Sequence, residues 1–182
     1  MSLLRRMAGA SRLHADTYEE VEADGSSIRQ ALLLVALASV SNGAGAAALF
    51  SRGGFDGRQL AFQVTISVLL PSVVWVGGSA FSYMTGASFF RGPETETDFA
   101  EVLRTTGFAF APGLLLGVSA LPPDTLGIVL AWAVRLWVLI AAVVAIRQAL
   151  DFTTLRAVGT FGSAAALLWL LLWGLAAAPL PF

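Results

Sequence analysis

The sequence contains no cysteine, no lysine and a single histidine, His14. Without cysteine there can be no disulfide, thiolate nucleophile or cysteine metal site, and the redox compartment is left unmarked. Without lysine, Schiff-base chemistry is excluded. His14 lies in the polar N-terminal segment, so an intramembrane haem or chlorophyll held by histidine is not expected; nor is any other cofactor or metal. Charge is also scarce. Only 13% of residues are charged, where soluble domains carry about 25%. The net charge of -1 gives no electrostatic case for binding nucleic acid. The opening "MSLLRRMAGASRLHADTYEEVEADGSS" has Arg5 and Arg6 but no apolar stretch of about 7–15 residues behind them. Neither a signal peptide nor a twin-arginine export signal is expected, and this segment should remain part of the protein.

What is present in excess is apolar sequence: 57% of the 182 residues are hydrophobic and the mean hydropathy is +0.76. One soluble core of this size cannot hide so much apolar surface, so the bilayer is the expected solvent. Runs near the roughly 20 residues needed to cross the hydrocarbon fall at 28–50, 60–83 (or 60–90), 107–121, 126–146 and 156–178. The chain therefore reads as an all-α integral membrane bundle of five transmembrane helices. Residues 1–27 form a cytoplasmic or interfacial N-terminal arm and 28–182 the membrane domain. Arginines set the orientation. Arg5, Arg6, Arg12, Arg29, Arg91, Arg104, Arg147 and Arg156 fall on one side, against Arg52 and Arg58 on the other. The N-terminus is expected in the cytoplasm and the C-terminal "APLPF" outside, in the inner (cytoplasmic) membrane of the cell.

The third span is the least regular. Before it, Asp98 and Glu101 have capping-box spacing. Phe99, Val102, Leu103 and Thr106 then share one face with Glu101 and Arg104 on the other, which predicts a short interfacial helix. Pro112 and Gly113 in "FAPG" should kink the span that follows, and a re-entrant path is the alternative. In the arm, Leu3, Leu4 and Met7 oppose Arg5, Arg6 and Arg12. This pattern suits a helix resting on an anionic leaflet, or equally a solvated arm, and Thr17 and Glu20 have capping-box spacing.

Arg135 sits near the middle of the fourth span, in "AWAVRLWVLIAAVVAIRQALDF", too deep for its side chain to snorkel out. The spans contain no aspartate or glutamate, so it must find another partner. Trp132, one turn earlier, offers a cation–π contact. Asn42, Gln63 and several serines offer side-chain oxygens. Pro71 and Pro112 lack an N–H and so free the carbonyls of Ser67 and Phe108. We expect Arg135 to staple the second and third spans to the fourth. Two alternatives stay open: it lines a path for an anionic substrate, or it meets an acid of a partner subunit. Elsewhere, small residues at Ser39, Gly43 and Ala47 and at Gly78, Ser82 and Gly86 form ridges for close helix packing. Trp169 and Trp173 suit an interfacial belt.

Three stretches, "TYEEVEADGSSIRQALLLVALASV", "FAEVLRTTGFAFAPGLLLG" and "AIRQALDFTTLRAV", resemble the Yip family in its bacterial form, and with the five-span pattern the resemblance covers nearly the whole chain. The Yip proteins are membrane proteins named for interacting with Rab-type GTPases. The resemblance implies five helices and a cytoplasmic N-terminus. Eukaryotic relatives act in vesicle trafficking and are not enzymes; only membership and topology carry over to this chain, and Rab-type GTPase binding has no support beyond family analogy. In the last stretch Arg147 and Asp151 have i, i+4 spacing, Asp151 can cap the next helix, and Arg156 sits at its mouth, so a rigid cytoplasmic hairpin is expected there.

No Ser/His/Asp set, metal-ligand cluster or phosphate loop is present. "SRGGFDGRQ" has no strand–helix context and reads as a turn. The expected function is a non-enzymatic scaffold or accessory subunit that binds the lipid bilayer and other membrane proteins or itself. The alternative is a small transporter or channel for an anion or lipid, centred on Arg135.

Overall fold

The computed structural model describes residues 2–90, 98–121 and 124–177. Arg91, used in the orientation argument, and the C-terminal "APLPF" lie outside them. Seven α-helices follow in order: α1 Leu3–Ser11, α2 Ala15–Ala23, α3 Ile28–Arg52, α4 Gly57–Phe89, α5 Phe99–Phe108, α6 Asp124–Ala149 and α7 Thr154–Ala177, with no strand among the described residues. Two 3₁₀ segments, Gly25–Ser27 and Ala111–Ala120, precede α3 and follow α5. Five segments are long and apolar enough to cross a membrane: Gly25–Arg52, Gly57–Phe89, Phe99–Ala120, Thr125–Ala149 and Thr154–Leu175.

The sequence explains where these begin and end. The "SRGGFDGRQ" stretch turns at Gly54, whose φ of +75° needs a residue without a side chain. Asp56 then accepts from the Gln59 backbone N–H at 2.8 Å while the Gln59 side chain accepts from that of Asp56 at 3.2 Å. This capping box starts α4 three residues before the apolar run expected at residue 60. Asp98 and Glu101 form the second box, at 2.8 and 2.9 Å, and start α5.

The third span runs through the middle of the bundle. In its most apolar stretch 67% of residues are buried, against 6% for the stretch in α4, and it packs on α3, α4 and α6. Counted from Gly107 it looks short, but the crossing includes α5 and runs from Phe99 to Ala120. Ten α-helical residues rise about 15 Å, and ten 3₁₀ residues rise about 20 Å, so together they reach across about 30 Å of hydrocarbon. Pro112, buried at the start of the 3₁₀ segment, marks the change of winding. The switch is held by close contacts. Ser41 on α3 donates its hydroxyl to the Leu114 carbonyl at 2.7 Å and accepts from the Gly117 N–H at 2.8 Å. A Cβ on Gly113 would stand 3.3 Å from that of Ala38.

Around α5 the structure departs from the surface-lying helix that its spacing suggests. Arg104, expected on the polar face, is buried, because α2 folds back over α5. The arm is thus packed onto the bundle, with Tyr18 and Val21 fully buried in a core shared with α3, α5 and α6. The Thr17–Glu20 spacing is not used as a cap: His14 occupies the N-cap of α2 without a side-chain bond. The small-residue ridges are partly used. Gly43 faces Val68 and Gly86 faces Leu150, whereas Gly78 borders open space. The closest approach of α3 to another segment's backbone is at Gly45, against the Leu116 carbonyl.

Candidate functional site

The helices α4 and α6 are neighbours of the third span but scarcely touch each other. Between them a crevice opens sideways from the bundle, floored by α3 and the 3₁₀ segment and closed toward the arm end by α7. It has three sections of about 590, 290 and 310 Å³. The first two share Asn42, Leu70, Leu116, Trp132 and Arg135. The last two share Leu70, Val74, Phe110, Val138 and Leu139. Polar groups gather in the section farthest from the arm, where Asn42, Gln63, Ser67, Ser119 and Arg135 line the wall. The section nearest the arm is lined mainly by aliphatic and aromatic side chains such as Val74, Leu139, Phe161 and Leu168.

The polar section is organised by one proline. Pro71 lies inside α4 without ending it, and its missing N–H leaves the Ser67 carbonyl without a helical donor. The Asn42 side-chain amide donates to that carbonyl at 2.7 Å. The carbonyl side of the same amide accepts from Arg135 Nη2 at 3.3 Å, and the Arg135 guanidinium stands over the Trp132 ring at 5.7 Å. The staple expected of Arg135 is therefore made by Asn42, which ties α3 to α4, and Arg135 is only its outlying member. The third span takes no part, and none of the described hydrogen bonds joins Arg135 to the Phe108 carbonyl. Among the described residues Arg135 has no ion pair and no hydrogen bond besides the one to Asn42. A guanidinium carries five donors, and this one lines two sections of the crevice. No sequence signal assigns the proline-freed carbonyl to an asparagine 25 positions earlier, because the pairing depends on how α3 and α4 cross.

The remaining expected positions lie apart from this site. Arg147 and Asp151 do not pair: α6 ends at Ala149, and Asp151 takes a left-handed φ of 49°, so the helical i, i+4 geometry never reaches it. Arg147 instead donates to the Gln148 side chain at 2.9 Å. The turn is held by apolar packing, with Ile146, Leu150, Phe152 and Ala157 buried against Val102, and Arg156 is exposed beside it. Trp169 and Trp173 stack at 6.4 Å on the outer surface of α7.

A second polar assembly ties the arm down. Arg6, 3% exposed, donates to Glu20 at 3.0 Å, Gln30 at 3.0 Å and Asp24 at 2.7 Å. Burial works against its charge, but the bonds to Asp24 and Glu20 outweigh it and raise its pKa. The Ser26 hydroxyl and Arg6 in turn hold the Asp24 carboxyl down at about 2. Arg104 donates to the Glu22 carbonyl through both Nε and Nη2. The Glu22 carboxyl is pushed up to about 7, by burial first and then by Asp151 and Glu101. Amphipathic spacing missed Arg6 and Arg104 alike, since each polar side chain is consumed by a contact with another segment.

Against known proteins, the family model of the Yip1 domain matches residues 13–176, which includes α2, all five spanning segments and the crevice. No curated protein and no solved structure matches the chain.

Proposed function

Because the chain belongs to the Yip1 domain family, we propose that it is a non-enzymatic multi-pass membrane protein whose lateral crevice binds an anionic amphiphile, with the charged head at Arg135 and the chain in the apolar section toward α7. The observation that carries this reading is that Asn42, not Arg135, closes the proline-freed carbonyl. Among the described residues Arg135 is left as a cation without an acid, lining an opening toward the lipid. An intramembrane charge in such a place is costly unless something anionic meets it. Along α6, the distance from Arg135 to Ile146 at the apolar end is about 16 Å, enough for an acyl chain to lie beside α7. Moving such a molecule across the bilayer is the transport form of the same reading. The orientation that goes with it places the arm in the cytoplasm, supported by the arginine distribution.

The scaffold reading places a partner's carboxylate at the same guanidinium. Extraction from the native membrane in a mild detergent, followed by native mass measurement, separates the two. Protein carrying an acidic lipid that is lost in Arg135→Gln, and no other polypeptide, supports the proposal. A stoichiometric complex with another polypeptide, lost in Arg135→Gln, replaces it with the accessory-subunit reading.

A further inference from the structure

The exposed stripe of α1 carries Leu4, Arg5 and Ala8, and Arg12 follows at its C-cap, also exposed. Arg5 and Arg12, with His14 and Asp16 from the next turn, line a pocket of about 280 Å³. Arg6 also lines it, but its donors are spent on Glu20, Asp24 and Gln30. Neither Arg5 nor Arg12 has a hydrogen-bond or ion-pair partner among the described residues, so two free guanidinium groups converge on one small cavity. The walls are fixed. Thr17 packs onto Gly9 so closely that a Cβ there would collide with its hydroxyl, locking α1 against α2.

The height of this pocket on the bundle indicates what fills it. Trp137 donates its indole N–H to the Ser11 carbonyl at 2.8 Å. Trp137 lies twelve positions before the end of α6 at Ala149, which is roughly 18 Å along the helix. Beyond it toward the arm end, Ala141, Ala145, Ile146 and Ala149 are buried, with α2 packed on α6. From Ile140 down to Leu126 the outer surface of α6 is exposed and apolar. The C-terminal end of α1 therefore lies where α6 passes from protein-covered to lipid-facing. Leu4, 75% exposed on the same stripe as the arginines, can enter the acyl boundary beside the pocket.

We infer that Arg5 and Arg12 form a binding site for the phosphate of an acidic phospholipid in the leaflet on the arm's side, its chains running down the exposed face of α6. Asp16 adds an acceptor to the same wall, which suits a head group with hydroxyl donors, of the phosphatidylglycerol type, better than a bare anion. The site is separate from the crevice, shares none of its lining residues and stands whether or not the crevice binds anything.

The test uses the full protein in neutral detergent, titrated with short-chain phosphatidylglycerol or phosphatidylcholine and read by native mass spectrometry. Wild-type protein should prefer phosphatidylglycerol. The Arg5→Gln/Arg12→Gln variant should lose roughly thirty-fold in affinity for it, at about tenfold or less per arginine, with an unchanged melting temperature because neither side chain has a folding partner to lose. The comparison is made in an Arg135→Gln background as well, so that the crevice does not contribute, and should give the same loss. Competition by inorganic phosphate would assign the site to a free anion; its failure to compete assigns it to the lipid. Equal binding of the two lipids by wild type, or an unaltered affinity in the double variant, overturns the inference.

Discussion

Replacing Asn42 with alanine should destabilise the bundle through one carbonyl. Asn42 Nδ2 donates to Ser67 at 2.7 Å, and Pro71 offers that carbonyl no helical donor. An acceptor left unpaired in an apolar setting costs about 1–3 kcal/mol, and interhelical hydrogen bonds in membranes measure roughly 0.6 kcal/mol on average, up to about 1.7. We expect a loss of about 1.5 kcal/mol for Asn42→Ala. The mechanism predicts more than a magnitude. In a Pro71→Ala background the new N–H can bond the Ser67 carbonyl within α4, so Asn42→Ala then removes only the 3.3 Å contact with Arg135. The two substitutions should therefore couple by about 1 kcal/mol. Reversible unfolding of the four proteins in mixed micelles, with rising dodecyl sulfate, supplies the cycle. Additive effects, within about 0.3 kcal/mol, would refute the claim that the asparagine serves the proline.

Two further expectations concern packing and the arm. A Cβ at Gly45 would collide with the Leu116 backbone carbonyl, whereas one at Gly162 meets nothing within 4 Å. Gly45→Ala should thus cost about 1–3 kcal/mol and Gly162→Ala none, gaining up to about 1 kcal/mol in helix propensity; equal effects in the same unfolding assay would contradict the close approach of α3 to the 3₁₀ segment. Glu22 titrates at about 7 in the folded protein against an ordinary 4.5, so the folded state holds its proton more tightly. Its contribution is fully present below about 4.5 and is lost as pH rises through about 7. The Asp24 carboxyl, held near 2 against 3.8, acts only at lower pH, where its contribution is lost as the carboxyl protonates. Thermal midpoints should fall between these two Glu22 values in wild type and flatten in Glu22→Gln; an equal slope in both would place the titration elsewhere.

The five crossings were legible because a membrane span is written in composition: long apolar runs bounded by "SRGGFDGRQ" and by Asp98–Glu101 leave little choice of path. Tertiary decisions were not. The pattern at Phe99–Thr106 reads as a surface helix until α2 covers Arg104, and the third span reads as short from Gly107 until α5 is seen to belong to the crossing. For the site, sequence reasoning found the cation at Arg135, its ring at Trp132 and its neighbour Asn42, since each is unusual in an apolar run. It could not rank them, because the choice between Asn42 and Arg135 for the Ser67 carbonyl is made by the distance between α3 and α4.

The central claim is that Arg135 is a free cation awaiting an anionic head group. The most direct measurement is the affinity of purified protein for a single-chain anionic lipid, lysophosphatidic acid, and for an uncharged monoacylglycerol. It is best made in the Arg5→Gln/Arg12→Gln background so that the arm pocket does not contribute. The account predicts a preference for the anion of about tenfold or more, the size expected of hydrogen bonds to a charged group. Arg135→Gln should abolish this preference while leaving the neutral lipid's affinity unchanged. The same anion-to-neutral ratio with and without Arg135 would contradict it.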